Sequence, residues 1–121
     1  MKQKKKLKIA IACHNAHNVL CKNNGQRVTP WENKSTEHQA IVVNSLEKVL
    51  SGEIESPEEA HVNFVDMKEK FGWEYGERFS TRDKTNPRIC DYDELDDLDR
   101  QKAEMFYAVA SSFKREEPEM A

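Results

Sequence analysis

Between Ser56 and Gly72 the chain marks out one element more sharply than any other. Ser56-Pro57-Glu58-Glu59 has the order of a helix start: a hydroxyl to cap free backbone N–H groups, a proline at the first helical position, and a glutamate at the third. Ala60, Phe64, Met67 and Phe71 follow at i, i+4, i+7 and i+11, a single stripe along an α-helix. Gly72 stands where a left-handed cap would end it. A helix this short is marginal alone in water. It therefore needs other elements to cover its stripe.

Three such elements are legible. Ile9, Cys13, Ala16 and Leu20 form a stripe on a helix from about Leu7 to Lys22, closed by Asn23, Asn24 and Gly25. Thr36 followed by Gln39 reads as a capping box opening a second helix. That helix buries Val42 or Val43, Leu46, Val49 and Leu50, and Gly52 stops it. A last helix, about Asp97 to Lys114, carries Ala103, Phe106, Ala110 and Phe113. Between the third and last helices, Trp73-Glu74-Tyr75 alternates like a short strand, and Arg88-Ile89-Cys90 reads as its return. The expected fold is α+β and mainly helical, about four helices with a short β-hairpin between the third and fourth. One domain is expected over residues 7–114, between a flexible basic N-terminus at 1–6 and a flexible C-terminal tail at 115–121.

The polar composition limits the core. Of 121 residues, 37% are hydrophobic and 34% charged, so much of each helix must face water. Net charge is -3, which makes nucleic acid an unlikely partner, although Lys2, Lys4, Lys5, Lys6 and Lys8 crowd one end. No apolar run reaches the length of a membrane span, and Leu7–Cys13 is too short and polar for a signal sequence. Three cysteines, Cys13, Cys21 and Cys90, have no framework spacing, which fits a reducing, cytoplasmic setting with no membrane association.

Catalytic and metal chemistry find little support. Cys13, His17 and Cys21 share a helical face, but a structural zinc wants four ligands. Cys13 and His14 are adjacent, hence about 100° apart around a helix, and cannot act as a thiolate–imidazole pair. The acidic run from Asp91 has Leu95 where a calcium loop needs an oxygen and Asp96 where it needs glycine. No phosphate-binding glycine loop, GxSxG or HExxH motif occurs. The reading is a non-enzymatic domain with no cofactor and no metal.

A binding constellation remains. His61 and Lys68 lie two turns apart on the third helix, with Phe64 on an adjoining line. Asn86 and Arg88 sit in an extended segment where alternate side chains share a face, and Trp73 and Tyr75 alternate likewise. Aromatic faces beside a cation, an amide and a guanidinium suit a planar, anionic ligand such as a nucleotide. The same residues also suit a helix–hairpin junction packed by Phe64 and Trp73.

These residues also carry a resemblance. Ser56-Pro57-Glu58-Glu59-Ala60-His61, Lys68, Gly72-Trp73-Glu74-Tyr75-Gly76, Asn86-Pro87-Arg88-Ile89 and Tyr92-Asp93-Glu94-Leu95 together resemble the RyR domain, the repeat of ryanodine receptors that also occurs in bacteria and phages. Ala12-Cys13-His14, Asn18, Cys21 and Pro30-Trp31 resemble the N-terminal part of its prokaryotic versions. The likeness runs from about Ile9 to Phe113. It implies a mainly helical α+β domain that holds an adenine nucleotide between an aromatic on the third helix and the polar hairpin segment. It points to His61, Phe64, Lys68, Asn86 and Arg88; with His14, Asn18, Trp31, Trp73 and Tyr75 these make the candidate ligand-binding set. Two departures stand out: Phe64 replaces a frequent Trp, and Ala103 a frequent polar residue.

The functional expectation is a module that binds a nucleotide-like small molecule, as sensor or scavenger of a nucleotide-derived signal. The alternative is a protein-protein interaction module using the Trp31, Phe64 and Trp73 region. Because receptor repeats occur in pairs, a homodimer is expected, joined through Val19, Met105 or Val109 on the outer faces of the first or last helix.

Overall fold

The four apolar stripes become four helices: α1 Gln3–Asn23, α2 Thr36–Ser51, α3 Pro57–Lys70 and α4 Asp97–Ser111. Short 3₁₀ turns at Trp31–Asn33 and Tyr92–Glu94 complete the regular structure. The computed structural model describes residues 1–114, so the expected tail at 115–121 lies outside the described residues. Helix α1 begins at Gln3, four residues before the expected Leu7, and takes in the lysine-rich stretch.

Each start and stop has a local cause. Ser56 Oγ accepts a hydrogen bond from Glu59 N at 3.1 Å, the expected cap of α3. At the other end, Gly72 takes φ +90°, while Gly72 N donates to Glu69 O and Trp73 N to Lys68 O. This pair of bonds is the Schellman arrangement, and it delivers Trp73 back onto the helix. Helix α2 departs from expectation. Its cap is Ser35, whose side chain accepts from His38 N at 3.0 Å, one residue before Thr36. Gln39 closes no capping box; its amide donates to Trp31 O at 2.8 Å and ties the 3₁₀ turn to the helix.

Helix α1 packs on α4 and α2, and α3 covers the same two helices. Leu46 and Val49 of α2 are fully buried at the centre, with Ile9, Ala10 and Cys13 of α1 and Ala110 of α4 around them. Each fully buried Leu or Val contributes roughly 1.5–3 kcal/mol by removal from water. Of the residues expected at a dimer contact, Val19 is exposed, whereas Met105 lines a cavity and Val109 packs against the core. Among the described residues no helix is long and apolar enough to cross a membrane.

Helix α3 turns a different face inward from the expected one. Phe71 is exposed, Phe64 and Met67 are half-buried, and the buried positions beside Ala60 are His61, Asn63 and Lys68. Asn63 is satisfied there by neighbours on α2: its amide donates to Ser45 Oγ and Asn44 Oδ1, and its carbonyl accepts from Lys48 Nζ. The helix thus brings polar groups into the interior, and they must find partners there.

The expected β-hairpin is corrected by the structure. Among the described residues no strand forms; two isolated bridges, Glu74 with Thr85 and Ser80 with Thr85, fasten the 71–96 segment. Arg88-Ile89-Cys90 is not a return strand. Asn86 Oδ1 accepts from Arg88 N at 2.8 Å, while Ile89 N donates to Asn86 O. Pro87 offers no N–H, and the asparagine side chain takes the next one, so the segment turns rather than pairing. The close approach at Thr85 requires Gly76, where an added Cβ would lie 2.5 Å from Thr85 Cβ.

Candidate functional site

The turn that replaces the hairpin places Arg88 against α3 and α4. Its guanidinium lies over the Phe64 ring, 4.5 Å from the centroid. Its Nε is buried 3.8 Å from Asp99 Oδ1, an ion pair too long to be a hydrogen bond, and has no hydrogen-bond partner. Asp99 is engaged more closely by Lys102 Nζ, at 3.1 Å. Burial pulls the pKa of Arg88 down, but a guanidinium remains charged in proteins.

Beside Arg88 a cavity of about 100 Å³ opens at the junction of all four helices. All four histidines of the chain line it: His14 and His17 from α1, His38 from α2 and His61 from α3. Two cations, Arg88 and Lys102, line it as well, and among the described residues no carboxylate does. The remaining wall is mostly apolar, including Ile41, Phe64 and Phe106.

The histidines are tightly arranged. The His14 ring lies 6.1 Å from His17, 5.8 Å from His38 and 5.7 Å from Trp31, centroid to centroid. His14 Nε2 stands 2.7 Å from Thr29 O. A carbonyl only accepts, so Nε2 carries the proton and donates. Asn18 donates to the same carbonyl at 2.9 Å, which fixes the 24–30 loop on α1. By the same argument His61 Nε2 donates to Cys90 O at 2.7 Å. Its Nδ1 is buried and has no hydrogen-bond partner.

The surroundings disfavour a charge on three of the rings, His17, His38 and His61. Burial, reinforced by Arg88 and Lys102, lowers His17 to about 4. Burial, reinforced by Lys34 and Lys68, lowers His38 to about 3. His61 is also lowered by burial, against the pull of the Cys90 carbonyl, Asp99 and Asp91. Cys13 is pushed up to about 12 by burial and is a protonated thiol. Among the described residues no three His, Cys, Asp or Glu side chains converge as ligands for a metal ion. The arrangement suits binding of an anion: fixed cations in an apolar wall, with imidazoles able to give or accept hydrogen bonds.

Of the ten sequence-derived candidates, His14, His61, Phe64 and Arg88 line the cavity. Trp31 packs edge-on against His14 behind it. Lys68 is buried with its Nζ 4.4 Å over the Trp73 ring, and Trp73 Nε1 donates to Glu37. Asn18 and Asn86 build the loop and the turn rather than the wall. Tyr75 is exposed and lines a separate groove with Pro87, Asp91 and Glu94.

Sequence reasoning did not place His17, His38 and Lys102 in this site. His17 is three residues from His14, so the shared face was available as a signal, and Lys102 interrupts the apolar stripe of α4 beside Ala103. His38 had none, because only the packing of α2 on α1 brings it in. Comparison with protein-family models, curated proteins and solved structures finds no match to the chain.

Proposed function

We propose that the chain is a RyR-type domain that binds an anionic small molecule, a nucleotide or nucleotide-derived signal, without altering it. The observation that carries the reading is the cavity at the four-helix junction, whose wall among the described residues holds two cations, four imidazoles and no carboxylate. Such a wall attracts a phosphate-bearing ligand, and its apolar part suits a ring. The resemblance of the Ser56–His61 and Asn86–Arg88 segments to the RyR domain supports the same class of ligand. A domain of this kind serves as a sensor or scavenger in the cytoplasm.

Arg88 constrains how a ring can enter the site. Its guanidinium already occupies one face of Phe64, so a ligand ring must share that aromatic or displace the arginine. The alternative, a partner chain docked on Trp31, Phe64 and Trp73, is less well supported because both tryptophans are buried. The test is a thermal-shift screen against a nucleotide panel: a ligand at a hundred times its dissociation constant adds about 2.7 kcal/mol of stability. A panel with no stabilising member would sink the proposal.

A further inference from the structure

His61 and Arg88 each leave one buried nitrogen without a hydrogen-bond partner, and both side chains line the same cavity. A buried polar atom left unsatisfied is costly, so one in a cavity wall favours an occupant that can hydrogen-bond to it. Arg88 Nε–H can only donate. His61 Nδ1 is a bare acceptor while Nε2–H is committed to Cys90 O. An anion satisfies Arg88 but repels a bare imidazole lone pair. Both nitrogens are satisfied together by a tetrahedral oxyanion if Nδ1 first gains a proton.

We propose that the cavity seats the terminal phosphate of a monoester, a tetrahedral dianion, between Arg88 and His61, and that His61 takes up one proton from solvent as the anion binds. The inference rests on the anionic-ligand reading above and names the group that enters the site. The proton bonds to Nδ1, giving an imidazolium that donates through Nε2 to Cys90 O and through Nδ1 to a phosphate oxygen. Arg88, Lys102 and the imidazolium, offset by the charge of Asp99, leave two positive charges to match a dianion.

The surroundings select His61 for this role. From the 71–96 segment, Arg88 opposes a charge on the ring, while Asp91 and the Cys90 carbonyl favour it. From α4, Asp99 favours it, and Lys102 faces the same cavity, paired to Asp99. Tyr92 touches the ring edge-on. From α1 and α2, Cys13, His14, His17 and His38 share the cavity. His17 and His38 are held at about 4 and about 3 by burial and neighbouring cations, whereas Asp99 and Asp91 act on His61 in the opposite direction. Because burial lowers His61 before binding and the anion raises it afterwards, affinity is greatest at low pH. It falls as pH rises between the free and bound values, and levels off above the bound one.

The probes are sulfate, which stays a dianion across the working range, and a nucleoside 5′-monophosphate. Calorimetric titration of the wild-type protein with sulfate, between about pH 5 and pH 8 where histidine titrates, should show affinity falling towards tenfold per pH unit over part of the range. The measured heat should differ between buffers of different ionisation enthalpy by up to one proton per anion. The His61 Nδ1 resonance should move to its protonated position on adding sulfate at neutral pH, a readout that needs no variant. His61→Gln, which retains an amide donor for Cys90 O, should bind with a flattened pH dependence. Sulfate binding that is independent of pH and of buffer overturns the proton coupling and leaves the anion site standing. Failure of both sulfate and the monophosphate to bind at any pH overturns the anion site as well.

Discussion

Replacing Arg88 with alanine separates its part in binding from its part in folding. In the free protein the guanidinium lies 4.5 Å over Phe64, and its Nε is 3.8 Å from a carboxylate that Lys102 already holds at 3.1 Å. Removing it costs a cation–π contact of roughly 0.5–2 kcal/mol. It leaves Asp99 paired, so no buried charge is stranded and the fold survives. The bound state loses more. A hydrogen bond to a charged group contributes about 1.5–3 kcal/mol, which corresponds to a loss of roughly 12- to 160-fold in affinity for an anionic ligand. Calorimetric titration with a nucleoside monophosphate, beside a urea unfolding curve, measures both quantities on one sample. The variant should also let His17 titrate higher, since Arg88 is the first cation acting on it after burial. An unchanged affinity in a folded Arg88→Ala protein would remove Arg88 from the site and refute the reasoning.

The remaining predictions concern pH and local structure. His17 at about 4 and His38 at about 3 lie below the unfolded value of about 6.5, so the unfolded chain binds more protons between those limits. Stability is therefore full above pH ~6.5 and lost as pH falls towards 4 and then 3, by an amount on the order of a few kcal/mol. Urea midpoints should drop between pH 7 and pH ~4.5, and His38→Gln should flatten the drop; equal midpoints would show the rings accessible to protons. Gly76→Ala meets Thr85 Cβ at 2.5 Å and should destabilise by about 1–3 kcal/mol through overpacking, a cost that Thr85→Gly should relieve in the double variant. Ser56→Ala removes the acceptor for Glu59 N and should cost about 1 kcal/mol, read as a lower melting temperature with the same circular dichroism spectrum.

Much of the helical frame was legible along the chain because its determinants are local. A serine before a proline and a glycine after the last turn act within a few residues, and Ser56 and Gly72 close α3 as read. The apolar spacing of α2 and α4 likewise points to the buried Leu46, Val49 and Ala110. Where two local signals competed, tertiary contact settled the matter. Ser35 rather than Thr36 caps α2, and the Gln39 side chain goes to Trp31 O instead of closing a box. The alternation at Trp73–Tyr75 and Arg88–Cys90 looked like paired strands, but Asn86 and Pro87 deny the second one its ladder.

The candidate site divides along the same line. His61, Phe64 and Arg88 could be named from the sequence because two lie one turn apart on α3 and the third follows Pro87. That four histidines from three helices share one wall with Arg88 and Lys102 is decided only by the packing of α1, α2 and α4 around α3. Periodicity reports which face of a helix is apolar; it does not report which polar residues the neighbouring helices will enclose. Helix α3 shows the difference: its stripe predicted Phe71 inside, yet His61, Asn63 and Lys68 are buried and Phe71 is exposed. Burial of a polar side chain depends on a partner from elsewhere in the chain, such as Ser45 for Asn63 or the Cys90 carbonyl for His61. Such a partner exists only once the helices have met.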